Sequence, residues 1–211
     1  MNVQLQEIFQ QFIAGFKNAT WVEYVAIITG IASVWFSRLE NIWVYPIGLV
    51  STVSYVFLSF KYHLFGEATV NLYYTAMSIY GWILWAKRDQ QEHHVVKITF
   101  SSRKELKDQF VFFGIFYIIF YSALRLLQNS FYPGTIPFGD ALATATAFTG
   151  MLLMARKKVE SWYWWLATNI ASVPLYFIKG LTFTSVFYIV LFIMAIFGLI
   201  EWKKRAKENH A

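Results

Sequence analysis

Cysteine is missing from this chain altogether, which excludes disulfides and thiol chemistry. Charge is the next scarcity. Only 14% of the 211 residues are charged, while 57% are hydrophobic and 20% aromatic, a balance far from that of a soluble domain. Five stretches hold no charge at all: 43–60, 110–124, 141–155, 162–178 and 182–200, each 15 to 19 residues long before its flanks are added. About 20 helical residues cross a hydrocarbon core roughly 30 Å thick, and buried soluble helices rarely come so long so often. Catalytic signatures are absent too. The sequence holds no HExxH, GxSxG, phosphate-binding loop or cysteine-ligand pattern, and His93 and His94 sit in a charged loop where solvation is the default. No enzyme activity, cofactor or metal is expected.

The apolar pattern predicts an all-α, polytopic membrane protein with seven spans, at 21–38, 42–60, 68–86, 108–127, 138–155, 162–179 and 182–202. Residues 1–20 lack the basic start and cleavage site of a signal peptide and are expected to stay on the mature protein. Within them Leu5, Ile8, Phe9, Phe12, Ile13 and Phe16 share one helical face, the pattern of a short helix lying in the membrane surface.

The net charge of +6 points to membrane topology rather than nucleic acid. Arg38, the six basic residues between 87 and 107, Arg156 to Lys158, and Lys203, Lys204, Arg205 and Lys207 put 14 basic residues on one side, against Lys17, Lys61, Arg125 and Lys179 on the other. The positive-inside rule places that richer side in the cytoplasm, with the amino terminus outside and the tail 203–211 inside. A multi-pass position in a membrane is the expected location.

Three spans appear twice. Displacing the sequence by 120 positions lays Thr29-Gly30 on Thr149-Gly150, Glu40 on Glu160, Tyr45 on Trp165, Thr52 on Ser172 and Val53 on Val173; a further slip of three residues lays Gly81 on Gly198 and Trp85 on Trp202. With the polar stretch 87–107 as divider and span 108–127 as a linker crossing back, the bundles 21–86 and 138–202 become parallel repeats in a 3+1+3 arrangement. Transporters use such repeats, placing a solute site where the two bundles meet. The segment 129–137, with Pro133, Gly134 and Pro137, reads as a turn before the fifth span. Pro46 and Pro174 fall in the central spans of the two bundles and are expected to act as hinges.

Polar and aromatic residues recur at helical spacing inside three spans. Trp162, Trp165, Asn169, Ser172 and Tyr176 share a face of the sixth; Tyr45, Gly48, Thr52, Tyr55, Ser59 and Tyr62 do so in the second; Asn71, Tyr74, Ser78, Trp82 and Trp85 do so in the third. An asparagine facing lipid would leave its amide unsatisfied, so these faces are expected to look inward. Together they form a neutral lining suited to a flat, nitrogen-containing ring, which indoles stack on and amides orient. Trp21, Trp35, Trp43, Trp85 and Trp202 fit an interfacial belt. Glu23 and Asp140, at the outer starts of the first and fifth spans, fit helix capping or the attraction of a cationic solute, and Glu40 and Glu160 fit local ion pairs with Arg38 and Lys158. With no nucleotide-binding motif and no buried carboxylate, facilitated diffusion is the remaining mode of transport.

The chain resembles the PnuC family of bacterial vitamin transporters across all seven spans. The resemblance is carried by Tyr80-Gly81-Trp82 with Trp85, and by Arg156-Lys157-Lys158-Val159-Glu160-Ser161-Trp162 followed by Trp165 and Asn169. It implies a SWEET-like 3+1+3 fold, uptake of a B-type vitamin by facilitated diffusion, trapping by phosphorylation in the cytoplasm, and homotrimers. Family members carry nicotinamide riboside, thiamine or riboflavin. Asn71-Leu72-Tyr73-Tyr74 looks more like the thiamine-type members, so thiamine is the expected substrate and nicotinamide riboside the alternative. A receptor or assembly factor of the same fold, moving no solute, is the reading from another class.

The orientation is open to direct test. A cysteine placed at Asn209 should resist a membrane-impermeant thiol reagent in intact cells while one at Asn129 reacts, and the opposite pattern would invert the topology.

Overall fold

A computed structural model describes residues 2–61, 65–88, 95–127 and 135–209, with the side chains of 2–5 and 65–66 excepted. The Leu5 side chain, Tyr62, the His93–His94 pair and the 129–134 part of the expected turn lie outside what is described. The described residues form eight α-helices: α1 Asn2–Asn18, α2 Trp21–Arg38, α3 Val44–Lys61, α4 Phe65–Ala86, α5 Arg103–Leu127, α6 Pro137–Ala155, α7 Ser161–Ile178 and α8 Thr182–Glu208. By length and apolar composition α3, α5, α6 and α8 are each able to cross a membrane. α4 and α7 carry the polar and aromatic stripes expected from sequence.

Local chemistry explains several starts. Thr20 and Glu23 form a reciprocal capping box at α2, and Ser102 and Glu105 form another at α5, with the Ser102 N–H donating to Glu105 at 2.7 Å and the Glu105 N–H donating to Ser102 Oγ at 3.3 Å. Asp140 accepts from the Ile136 N–H at the start of α6 and pairs with Lys179. Glu23 and Asp140 are therefore capping residues. α1 meets α2 at 106° and rests on α8, where Phe12 and Phe16 contact Phe183; Phe9 points outward.

Helix contacts close a ring. α2 touches α3, α3 touches α4, α4 touches α6, α6 touches α7, α7 touches α8, and α8 returns to α2, while α5 lies outside against α6. The two triples α2–α4 and α6–α8 repeat each other's contacts, and one displacement of 117 positions relates them throughout. It pairs Glu23 with Asp140, Thr29 with Thr146, Glu40 with Lys157, Tyr45 with Trp162, Gly81 with Gly198 and Trp85 with Trp202. The geometry repeats with it. Thr29 Oγ1 donates to the carbonyls of Val25 and Ala26, and Thr146 Oγ1 to those of Leu142 and Ala143; Glu40 and Lys157 both have positive φ, 57° and 53°. The register of 120 expected from sequence is corrected accordingly, since its identities were chance matches among similar apolar residues.

The strongest repeated contact involves two indoles. Trp85 Nε1 donates to the Ala155 carbonyl and Trp202 Nε1 to the Ser37 carbonyl, each at 3.0 Å. Every triple thus caps the free carboxyl end of the other triple's first helix. At 2% and 0% exposure these residues are core, and a belt position is open only to Trp21, Trp35 and Trp43, which are exposed.

Around this end, called here the basic end, the expected local ion pairs give way to long-range ones. Glu40 binds Lys157 Nζ at 2.7 Å and Arg205 at 3.2 Å, while Arg38 lies over the rings of Trp35 and Phe197. Burial holds the Lys157 ammonium below its usual pKa, and the Glu40 carboxylate opposes that shift. Lys158 pairs with Glu105 at 2.8 Å, and Glu160 instead accepts from the Ser101 N–H and hydroxyl. Part of the expected loop 87–107 is a strap. Thr99 exchanges backbone bonds with Lys157 and Val159, fully buried Ile98 joins the cluster of Tyr45, Trp85, Trp162 and Trp202, and Asn209 Nδ2 donates to the Ile98 carbonyl at 3.0 Å. The expected tail is helical to Glu208.

Because Trp85 and Trp202 are equivalent, Trp85→Phe and Trp202→Phe should cost similar amounts. Each removes one interhelical hydrogen bond, worth about 0.5–1.5 kcal/mol, visible as lowered melting temperatures in detergent. A loss confined to one variant would break the equivalence.

Candidate functional site

The ring encloses a cavity of about 200 Å³ that all six of its helices line. From α3 come Tyr45, Gly48, Ser51 and Thr52; from α4, Tyr74 and Ser78; from α7, Trp162, Trp165 and Asn169. α2 adds Gly30, Ser33 and Ser37, α6 adds Met151 and Met154, and α8 adds Phe187, Leu191 and Ala195. Among the described residues, no charged one belongs to this lining.

Among the site residues expected from sequence, Trp162, Trp165, Asn169, Tyr74, Ser78, Tyr45 and Thr52 meet here. Others lie on the right helices but beyond the cavity. Ser172 and Tyr176 sit against Tyr188 of α8, the two tyrosine rings stacked at 5.1 Å, and neither they nor Tyr55 reach the lining. Asn71 stands two helical turns from Ser78 and turns its amide back to the Glu67 carbonyl, 2.9 Å away in its own helix. Trp82 is 40% exposed. The inward face of α4 runs through Ser78, Gly81 and Trp85, and Trp82 is rotated about 100° from Gly81, toward the outside.

The two prolines are not equivalent either. Pro46 lies in the first turn of α3, where its missing N–H leaves no bond unmade; Pro174 lies inside α7. A hinge is open only to the second.

Sequence reading missed the α2 contribution. Gly30, Ser33 and Ser37 step by three and four residues, a visible signal, but small residues at helical spacing are usual wherever membrane helices approach closely.

Most hydroxyls of the lining are already committed. Ser33 donates to the Val44 carbonyl at 2.9 Å, Ser51 to the Ala26 carbonyl at 2.7 Å, Ser37 to Met154 Sδ at 2.9 Å, and Thr52 accepts from Thr75 at 3.0 Å. Asn169 is different. It is 2% exposed, and its amide has no hydrogen-bond partner among the described residues. The Tyr45 hydroxyl and Trp162 Nε1 are likewise buried and unpartnered among them. Unmet polar groups at such depth are costly, so three of them converging on one cavity point to a ligand.

Aromatic rings separate the cavity from the basic end. Tyr45 meets Trp85 edge-on at 5.1 Å, Trp162 meets Trp202 edge-on at 5.6 Å, and Trp85 and Trp202 lie 6.1 Å apart. Two glycines seat this tetrad. An added Cβ on Gly81 would fall 2.5 Å from the Tyr45 ring, and one on Gly198 would fall 2.4 Å from the Trp162 ring.

A family described as nicotinamide mononucleotide transporter matches residues 20–204. The chain belongs to this family, the PnuC family. It is a membrane transporter family and not an enzyme family. The nicotinamide riboside transporter PnuC of Escherichia coli is 26% identical over 93% of this chain and 90% of its own length. The riboflavin/roseoflavin transporter RibM of Streptomyces davaonensis is 24% identical over 95% of this chain and 92% of its own. The crystal structure of the vitamin B3 transporter PnuC shares the fold, with a TM-score of 0.69 and 22% identity over 97% of this chain and 90% of that one. Thiamine appears in none of these names, and the residue that favoured it, Asn71, lies outside the cavity lining with its amide bonded within its own helix.

Gly198→Ala should drive the Trp162 ring toward the cavity, at an overpacking cost of about 1–3 kcal/mol and with weaker solute binding; Gly81→Ala should act likewise through Tyr45. Parent-like melting and binding in both variants would mean that the rings have room to spare.

Proposed function

We propose that this protein takes up nicotinamide riboside by facilitated diffusion. The observation that carries the reading is the unpartnered amide of Asn169, held among Trp162, Trp165, Tyr74 and Tyr45 in a cavity without charged lining among the described residues. A cationic pyridinium ring is attracted by the faces of indole and phenol rings, and its carboxamide complements an asparagine amide donor for acceptor. The riboside is favoured over thiamine because transporters named for it, from Escherichia coli and Neisseria mucosa, match almost the whole chain. The sequence feature that suggested thiamine, Asn71, does not reach the lining.

In this reading the ring stands in the bacterial inner membrane as seven spans in a 3+1+3 arrangement, with α5 as the linker and α1 at the surface. The basic end faces the cytoplasm, so the aromatic tetrad closes the cavity on that side and the solute enters from outside. A homotrimer is the assembly that the family resemblance implies. Among the described residues the lining carries no charged group to couple an ion, so the solute equilibrates and does not accumulate.

Calorimetry on the purified protein with nicotinamide riboside, thiamine and riboflavin tests the substrate. Riboside should bind, and Asn169→Leu should weaken it by about 0.5–1.5 kcal/mol, more if a ligand group is left unpaired, without loss of monodispersity. Thiamine binding with none for the riboside would sink the choice of substrate. In proteoliposomes, accumulation driven by a proton or sodium gradient would overturn the mechanism.

A further inference from the structure

The stripes of α3 and α7 are set 117 positions apart, and among the three steps that line the cavity the likeness breaks at one. Tyr45 answers Trp162, each seated on a glycine. Thr52 answers Asn169, both polar. Between them, Gly48 answers Trp165, and on the neighbouring helices the difference runs the other way, with Ser33 of α2 answering Gly150 of α6. On the α6–α7 wall the Trp165 ring lies against Gly150, where an added Cβ would meet ring atoms Cδ2 and Cε2 at 3.3 Å. On the α2–α3 wall a Cβ on Gly48 would meet the Ser33 side chain, its Oγ at 2.8 Å. An indole on one wall is therefore matched on the other by a hydrogen atom and a hydroxyl.

Close helix approach alone would account for a glycine between α2 and α3. It does not account for what surrounds this one. Gly48, Ser33 and Trp165 line the same cavity as Asn169, a buried residue whose amide has no hydrogen-bond partner among the described residues. One helical turn beyond Gly48 and Trp165, Thr52 and Asn169 bring a hydroxyl and an amide to a common level.

We propose that Gly48 and Ser33 form the specificity-determining slot of the cavity, and that the solute's flat ring lies in it, facing Trp165, where twofold symmetry would otherwise place a second indole. The ring completes the aromatic pair that the sequence leaves half-built. Stacking on Trp165 holds the ring by its face, and the polar groups one turn away read its exocyclic substituent. The width of the slot limits the solute to a ring no bulkier than an indole. This inference rests on the proposed carriage of a vitamin with a cationic aromatic ring and names the surface that selects it.

The lack of native cysteine makes a clean test available. Ser33→Cys introduces one thiol of nearly the same size, and its modification by methyl methanethiosulfonate is followed in the purified protein. Saturating nicotinamide riboside should slow that reaction at least tenfold; millimolar 1-methylnicotinamide, the cationic ring without the sugar, should slow it as well, and ribose should not. An unchanged rate with riboside, or protection by ribose rather than the ring, would overturn the slot. The double variant Ser33→Gly, Gly48→Trp copies the Gly150–Trp165 wall and should fill the slot from within, leaving a monodisperse protein that binds riboside at least tenfold more weakly. Parent-like binding by that folded variant would also overturn the proposal, and if it does not fold the thiol result decides alone. Where the parent binds riboside and the introduced thiol is not protected, the slot fails and the function stands. Where the parent binds none of riboside, thiamine and riboflavin, the function fails and the slot falls with it.

Discussion

Two indole N–H groups, from Trp85 and Trp202, join the halves of this molecule. Each leaves its own triple and hydrogen-bonds a carbonyl near the end of the opposite triple's first helix. In lipid the hydrophobic effect gives helices little reason to associate, so packing and interhelical hydrogen bonds set the arrangement. Reciprocity matters here. Because an indole bond of this kind is made at each, the ring closes at both seams, α4 on α6 and α8 on α2, and a cavity is left between them.

The tetrad at this joint also fixes the depth of the cavity. Tyr45 and Trp162 stand on Trp85 and Trp202 with their rings edge-on, and Gly81 and Gly198 allow them to approach so closely. Below them the strap carrying Ile98 and the ion pairs of Glu40 with Lys157 and Arg205 cover the basic end. Lys157 is almost fully buried, so its pairing with Glu40 offsets a desolvation cost more than it adds stability. Its ammonium also lies 4.6 Å from the Trp85 ring centre, which ties the charged layer to the aromatic one. Opening this end would have to disturb indole packing, strap and ion pairs together.

Symmetry builds the cavity and its local failure gives it a use. A perfectly repeated lining would present identical walls and hold a ring no better on one side than the other. Replacement of an indole by Gly48, and the opposite exchange at Ser33 and Gly150, gives an open wall facing a stacking wall. The free amide of Asn169 lies one turn from the stacking wall.

The sequence by itself determined the helices, their rotational faces and the end where basic charge gathers. Apolar runs and capping boxes mark the elements, and the three- and four-residue steps of α3, α4 and α7 identify the face that turns inward, because helical periodicity is rotational information. It carries no axial information. For that reason Asn71, Tyr55, Ser172 and Tyr176 were read with the site although they lie beyond it, and Trp85 and Trp202 were read as belt residues although they are core. Apolar sequence also matches itself at many displacements, so the register of the repeat became clear only from equivalent hydrogen bonds and equivalent positive-φ turns. Depth, register and the identity of the floor depend on contacts between residues more than a hundred positions apart, such as Trp202 with Ser37, and only the tertiary structure decided them.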